Sequence, residues 1–398
     1  MFKKLIFLMM FVFISSAVFA EYPTALFLLD AQPNIRLYSM GGVFSSVNQN
    51  DAFYNPWELG YAVNRSMYFA HWPGSISESQ YNFFSGILPF KKAGALNFSF
   101  LNYGTGSETI TELDGSTKDI QLENNKIISL AYGKNIGQRL FAGIGLKSLS
   151  STLADTYSAS AMLFDLGMVY RTLDDKHSFG IALANMGGKL KYYQTEENVP
   201  QELKLGYTRK SKPFPNQTII WGLGYAKSEV SKNYSLGIEY FPDIPFVSVR
   251  TGIIKKEDQT EILAGVGLNF KSFDLDMGYD LSSEKIEDDQ TALRFGLSWT
   301  FGDKDDYHKA EKYMAKGMKE KAVALWGNIT PHEKYYAMAQ KASYQYANPP
   351  EIIINAEFKD ENNDGILSSE ESGHILVKLR NNGKGKALNV RTIVEPAG

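Results

Sequence analysis

The residues whose types and spacing are best suited to chemistry lie near the C-terminal end of the chain. Asp360, Asn362, Asp364, Ile366, Ser368 and Glu371 sit within Asp360-Glu361-Asn362-Asn363-Asp364-Gly365-Ile366-Leu367-Ser368-Ser369-Glu370-Glu371. A hard cation such as Ca2+ needs several oxygens converging on one point. The twelve-position calcium loop supplies them from positions 1, 3, 5, 7 (a backbone carbonyl), 9 and 12, with Gly at 6 for the sharp turn. This spacing makes Ca2+ the expected cofactor of the segment. The alternative is an Asx-rich hairpin without metal. The flanks, 352–354 and 374–380, read as strands, so a helix–loop–helix sensor is not expected.

Elsewhere the chain offers little chemistry. It has no Cys, so a disulfide, a thiolate zinc site, a cysteine nucleophile and a lipoprotein anchor are all excluded. Its five His form no HExxH-type array, and neither a GxSxG elbow nor a GxxxxGK[ST] loop occurs. No catalytic residue is expected, and the chain reads as non-enzymatic. The net charge of −3 argues against nucleic acid or anionic lipid as a charged partner.

The elements that would carry any site come next. Residues 1–20 have the form of a signal peptide: Lys3 and Lys4, an apolar stretch over 5–18, and Val18-Phe19-Ala20 as a cleavage site. An uncleaved anchor is the alternative, but the apolar run is short for one and Glu21 follows it without a basic cluster. From Ser66 to Phe301 the chain reads as about fourteen alternating segments of roughly ten residues, the length of a tilted strand crossing a bilayer. In the last of them Leu293, Phe295, Leu297, Trp299 and Phe301 share one face, and Arg294, Gly296, Ser298 and Thr300 share the other. The expected strands are 66–73, 79–90, 93–103, 126–134, 139–150, 157–171, 178–187, 201–210, 218–228, 232–241, 246–255, 260–270, 273–281 and 291–301. Glu202 and Lys204 fall opposite Leu203, Leu205 and Tyr207, on the face a polar lumen accommodates.

The connectors are sorted by side. If the mature N-terminus starts in the periplasm, connectors 91–92, 135–138, 173–176, 211–217, 242–245 and 271–272 return to that side, and all but 211–217 are compact. The long connectors 104–125, 188–200 and 282–290 all fall on the other side. A soluble β-sandwich, the competing reading, has no reason to sort its loops this way. Glycines two apart, as in Gly143/Gly145, Gly222/Gly224 and Gly265/Gly267, share a strand face and make room there for a neighbour.

Ahead of the strands stand Ile35-Arg36-Leu37-Tyr38-Ser39-Met40-Gly41-Gly42 and then Asp51-Ala52-Phe53-Tyr54-Asn55-Pro56-Trp57-Glu58-Leu59. This opening, with Met40, Gly41, Gly42, Asp51, Asn55 and Pro56 as its marks, resembles that of the PorV/PorQ proteins, relatives of the FadL-type fatty-acid channel. The resemblance spans about residues 35–302. It implies a fourteen-stranded outer-membrane barrel whose N-terminal segment, 21–65, folds into the lumen as a plug. It also implies a role in protein export across the outer membrane, as in type IX secretion. Trp57 and Glu58 depart from the family pattern, which has small residues after Asn-Pro, so packing at that turn is expected to differ.

The expected architecture is mainly β: a signal peptide, the plug, a transmembrane β-barrel over 66–302, a helical segment over 303–347 and a partial β-sandwich over 348–398. In the helical segment 307–331 forms a first helix and 332–347 a second. Ala310, Tyr313, Gly317, Ala322, Trp326 and Pro331 are spaced as in one tetratricopeptide-type hairpin, with a plain amphipathic spacer as the alternative. A single such unit is expected to pack on a neighbour or under the barrel mouth. The last module, with Asn381-Asn382-Gly383-Lys384-Gly385, resembles the start of a CARDB-like or related Ig-like module. Three or four strands fit there before Gly398, where about seven make a sandwich.

The expected location is the bacterial outer membrane, with both terminal parts periplasmic. The expected partners are membrane lipid, other secretion or envelope proteins, and a hydrophobic ligand. Three functions remain open: a secretion platform, a FadL-like channel for hydrophobic small molecules, and a barrel that anchors an adhesion or scaffold module. A lumen lined by Phe and Leu with a gap in its wall would favour the channel. A sealed lumen with exposed apolar loops over 104–125 would favour protein handling.

Overall fold

A computed structural model describes residues 28–29, 31–43, 52–74, 78–90, 93–111, 114–192, 195–214, 217–244, 246–257, 259–270, 272–282, 293–302, 305–329, 335–362, 364–366, 368–385, 387 and 390. The signal segment 1–20, Asp51, and most of the connector 282–290 lie outside them. Two compact units result, 1–322 and 323–398.

The first unit is a closed antiparallel barrel of fourteen strands. In chain order the strands are β1 (Arg65–Pro73), β2 (Gln80–Phe90), β3 (Gly94–Gly104), β4 (Ser107–Thr111), β5 (Thr117–Gln121), β6 (Glu123–Asn135), β7 (Leu140–Leu153), β8 (Tyr157–Arg171) and β9 (His177–Met186). They continue as β10 (Lys189–Tyr192), β11 (Thr195–Asn198), β12 (Glu202–Ser211), β13 (Thr218–Lys227), β14 (Lys232–Phe241), β15 (Val247–Lys255), β16 (Thr260–Asn269), β17 (Phe273–Asp280) and β18 (Leu293–Phe301). The pairs β4–β5 and β10–β11 are separate two-stranded hairpins, and β10 lies against β8 with Leu190 and Tyr192 buried in one cluster with Ala161 and Leu163. The ring closes where β18 meets β1, with Arg65 opposite Phe301 and His71 opposite Phe295.

Every wall strand matches one read from the sequence to within a few residues. Both small hairpins fall inside connectors read as irregular. Three long connections, β3–β6, β9–β12 and β17–β18, lie at one end of the barrel, and the other end has short turns only.

Period-two alternation sets the two faces of the wall. Phe295, Leu297, Trp299 and Phe301 of β18 point outward and are exposed, while Ser298 and Thr300 are buried inside. Met67, Phe69, Phe98, Ile128, Leu130, Ile144, Phe164, Leu166 and Leu183 likewise face outward. At the short-turn end outward rings touch in two runs, Tyr170–Phe179–Tyr207–Trp221 and Phe246–Phe270–Phe273–Trp299–Phe301. An apolar outer band with an aromatic girdle is the surface a bilayer covers, and closure leaves no unpaired edge in lipid. Among the described residues no helix is long and apolar enough to cross a membrane.

After β18 the chain forms the helices Asp306–Ala315 and Lys319–Gly327. The sequence reading of one helix over 307–331 is corrected here. Lys316 closes the first helix, and Gly317, at φ +81°, takes the left-handed conformation that ends it. In the second unit the helix Tyr336–Ala347 precedes a hairpin of β19 (Ile352–Asp360) and β20 (Gly373–Asn381), with Asp360 opposite Gly373.

Candidate functional site

The lumen is filled from the N-terminal segment. Asn34 caps the short helix Ile35–Tyr38, accepting from Leu37 N–H at 3.1 Å. The helix closes through Gly41 N–H to the Tyr38 carbonyl (2.9 Å) and Gly42 N–H to the Leu37 carbonyl (2.8 Å). Gly41 and Gly42 have φ of +73° and +64°, which is why the Met40-Gly41-Gly42 turn needs both glycines. The second plug segment is a 3-10 turn, Pro56–Tyr61, with Pro56 at its first position and Asn55 before it.

Both plug segments rest on glycines of the wall. Gly222, Gly237 and Gly252 face one another across β13, β14 and β15. A methyl group on any of them would lie 2.6 Å from Val43, 2.1 Å from the Met40 carbonyl oxygen or 2.2 Å from Gly41 N, respectively. On another stretch of wall Gly133, Gly143 and Gly167 are cross-strand neighbours on β6, β7 and β8. Gly133 and Gly143 lie against the Pro56 backbone, and a methyl on Gly167 would meet the Trp57 ring at 2.2 Å. Trp57, which departs from the resembled pattern, is fully buried and finds its space over Gly167. Of the glycine pairs read from the sequence, Gly143, Gly222 and Gly265 have the plug as their neighbour, while Gly145 and Gly267 make room for the wall side chains Asp165 and Arg250.

Charges lock the plug further. Arg36 Nη2 reaches Glu239 Oε2 at 2.5 Å. Arg250 bridges Glu239 Oε1 (2.7 Å) and Asp276 Oδ1 (2.6 Å). Lys147 pairs with Asp165 at 2.7 Å beneath the rings of Phe53 and Tyr54. Burying these charges is costly unless they are paired; Arg36 carries the plug's charge to a wall carboxylate, and the other pairs lie within the wall. Around them Leu28, Leu29, Ile35, Phe53 and Tyr54 of the plug pack on Trp72, Phe83, Leu101, Ile127 and Leu149 of the wall.

The short-turn end is closed. Tyr61 stacks under Arg171, 4.0 Å from its ring centre, and packs edge-on against Phe141. The helix Asp306–Ala315 seals this side: Tyr313 Oη donates to the Tyr61 carbonyl (3.3 Å), and Lys316 Nζ to the Ala62 carbonyl (2.5 Å). Lys321 Nζ reaches Asp175 Oδ1 at 2.6 Å. Burial alone would raise the Asp175 carboxyl, but Arg171 and Lys321 outweigh it and hold it well below the usual carboxylate range. Burial pushes the ammoniums of Lys316 and Lys321 down to about 8, so both remain charged at neutral pH.

The long-loop end opens into a cavity of about 410 Å³, within the size range of small-molecule sites. Tyr38 of the plug, Trp72, Tyr81 and Arg294 line it together with Glu202, Lys204, Lys256, Glu261 and Asp280. Trp72 and Tyr81 stack at 4.8 Å, with 7° between their planes. Glu202 and Lys204, read from the sequence as lumen-facing, pair across 2.9 Å. The wall is therefore aromatic and ionic, not the Phe and Leu lining that an apolar channel would show. The other expected sign, apolar loops over 104–125, is present only in part: Ile110 and Leu122 are exposed amid polar residues of the β4–β5 hairpin.

Of the residues picked out by sequence, Met40, Gly41, Gly42, Asn55 and Pro56 come together as the two seated turns of the plug. The calcium-type loop belongs to the second unit. There Asp360 Oδ2 accepts from Gly365 N–H (2.7 Å), and Glu371 accepts from Asn362 N–H (3.0 Å) and Ser368 Oγ (3.2 Å). Asp364 Oδ1 accepts from Ile366 N–H (2.8 Å). These oxygens are turned onto the loop's own backbone, and no group of three or more His, Asp or Glu among the described residues is gathered as for a metal. Sequence reasoning placed Arg294 on the inward face of the last strand but missed the lumenal charges Arg36, Lys147, Asp165, Glu239, Arg250 and Asp276. Their signal was charge at inward positions of strands that are otherwise apolar outside.

No family model matches the chain, and no curated protein does. Solved structures similar to it include the toluene transporter TbuX of Ralstonia pickettii, at TM-score 0.47 and 11% identity over 67% of this chain and 98% of that one. The toluene transporter TodX of Pseudomonas putida follows at TM-score 0.46 and 11% identity, over 67% and 97%. A FadL homologue of Pseudomonas aeruginosa is at 0.44 and 10%, over 67% and 98%. These likenesses are too distant to carry a ligand across.

Proposed function

We propose that the chain is a non-enzymatic outer-membrane barrel that admits small amphipathic molecules at its long-loop mouth, with the plug as the barrier beneath. In this reading residues 1–20 direct export, the long loops face outward, and the terminal parts are periplasmic. The cavity of about 410 Å³ with its stacked Trp72 and Tyr81 carries the proposal. Vesicles holding the full chain should take up phenyl glucoside, a neutral aromatic solute that crosses lipid slowly, faster than empty vesicles. Equal rates would leave anchoring as the role.

A second reading, a secretion platform of PorV/PorQ type, is favoured by one observation. The residues that carry the resemblance, Met40-Gly41-Gly42 and Asn55-Pro56, are those that seat the plug. In that case removal of the protein from its native cell should strand exported proteins in the periplasm, and undisturbed export would sink the reading. Calcium at the 360–371 loop is proposed on ligand spacing alone, with Asp360, Asn362, Asp364, the Ile366 carbonyl, Ser368 and Glu371 as donors. Calorimetry of the full chain should show a calcium-dependent rise in the melting of the second unit that Glu371→Gln removes.

A further inference from the structure

We infer that the mouth cavity selects small carboxylates with a flat apolar body, and that Arg294 is the group that holds the carboxylate. The inference rests on the ligand-admitting reading above and names its ligand class.

The charged groups of this wall are not equivalent. Glu202 is paired with Lys204 Nζ at 2.9 Å, and Glu261 with Lys256. Asp280 accepts from both Ser282 N–H (2.9 Å) and Ser282 Oγ (2.6 Å). The acidic groups are therefore engaged, and a cationic ligand would have to displace a lysine or a cap. Arg294 differs. Its guanidinium lies 3.6 Å from the Tyr38 ring centre and 5.1 Å from that of Trp72, and Nη1 is shielded from solvent without a hydrogen-bond partner. No ion pair engages it among the described residues.

A guanidinium laid on aromatic faces is fixed in one plane, and here Nη1 is left without a partner. That is the arrangement suited to a two-pronged bond with a carboxylate. A buried donor left without a partner is also costly, so a ligand that satisfies Nη1 gains what the free protein forgoes. Beside it the part-exposed Tyr81 ring, stacked almost parallel at 4.8 Å on the buried Trp72, is the flat aromatic surface on which a ring can lie. Charge at one end and a flat face at the other define an amphipathic anion. Fully apolar solutes gain nothing from Arg294, and cations meet carboxylates already satisfied.

The test uses the full chain in detergent micelles and three probes of similar size: benzoate, benzyl alcohol and benzylamine. Benzoate should bind more tightly than the other two. Arg294→Gln should weaken benzoate by about tenfold or more while leaving benzyl alcohol within about twofold. Arg294→Lys, which keeps the charge but not the fork, should fall between. Unchanged heat-modifiability of the variants on gels shows that the barrel has folded. If benzyl alcohol binds as tightly as benzoate, or if Arg294→Gln leaves benzoate unaffected, the carboxylate assignment falls and the ligand-admitting reading stands. If none of the three probes binds, both fall.

Discussion

The two ends of the lumen are built from the same kinds of residue and put them to opposite uses. At the short-turn end Arg171, Asp175, Lys321 and Tyr61 are buried against one another and under the helix Asp306–Ala315, so aromatic and ionic groups serve closure. At the long-loop end Tyr81 and Arg294 are part-exposed on the cavity, over the buried rings of Tyr38 and Trp72. The lesson is that access, and not residue type or pairing, separates a structural cluster from a candidate site. Nη1 and Nη2 of Arg171 also lack a hydrogen-bond partner, but Arg171 is buried against Tyr61, whereas Arg294 is part-exposed on the cavity.

This contrast can be broken at its strongest point first. Glu239→Leu would leave Arg36 and Arg250 buried without their shared carboxylate. It should cost about 3–5 kcal/mol, read as a lower temperature for the heat-modified gel shift. Asp175→Asn should cost a comparable or somewhat smaller amount at neutral pH, and its pH dependence sharpens the comparison. The folded carboxyl lies below its ordinary value of about 3.9, so its stabilisation is complete above that range and is lost as pH falls through the depressed folded value. Melting temperatures of the wild type and Asp175→Asn should therefore differ at neutral pH and converge in strong acid. Gly237→Ala, which presses a methyl onto the Met40 carbonyl, should cost about 1–3 kcal/mol and raise protease cleavage within the plug. At the open end Lys256→Gln removes a part-exposed pair and should change stability by only about 0–1 kcal/mol. A large loss there would erase the distinction between the two ends.

Much of the wall was legible because an alternating strand reports its own faces. In β18 the residues Phe295, Leu297, Trp299 and Phe301 announce an apolar side regardless of what lies around them, and the structure turns that side outward. Connector lengths sorted the ends for the same local reason. The hairpins β4–β5 and β10–β11 escaped notice because their strands are only four or five residues long, too short for an alternation such as Leu190 and Tyr192 in β10 to register. The helix break at Gly317 was hidden by a repeat-like spacing that ran across it.

The sequence by itself determined the strand count, the sidedness of the loops and the turns of the plug, since Gly41 and Gly42 meet a purely local backbone demand. Tertiary structure alone decided what those elements touch. Arg36 meets Glu239 across 203 positions of chain, and Lys316 meets Ala62 across 254. Arg294 joins Trp72 and Tyr81, themselves paired across the β1–β2 hairpin, only because β18 closes on β1. Closure of a barrel brings together residues that no spacing rule relates, so the wall could be read from the chain but the site it encloses could not.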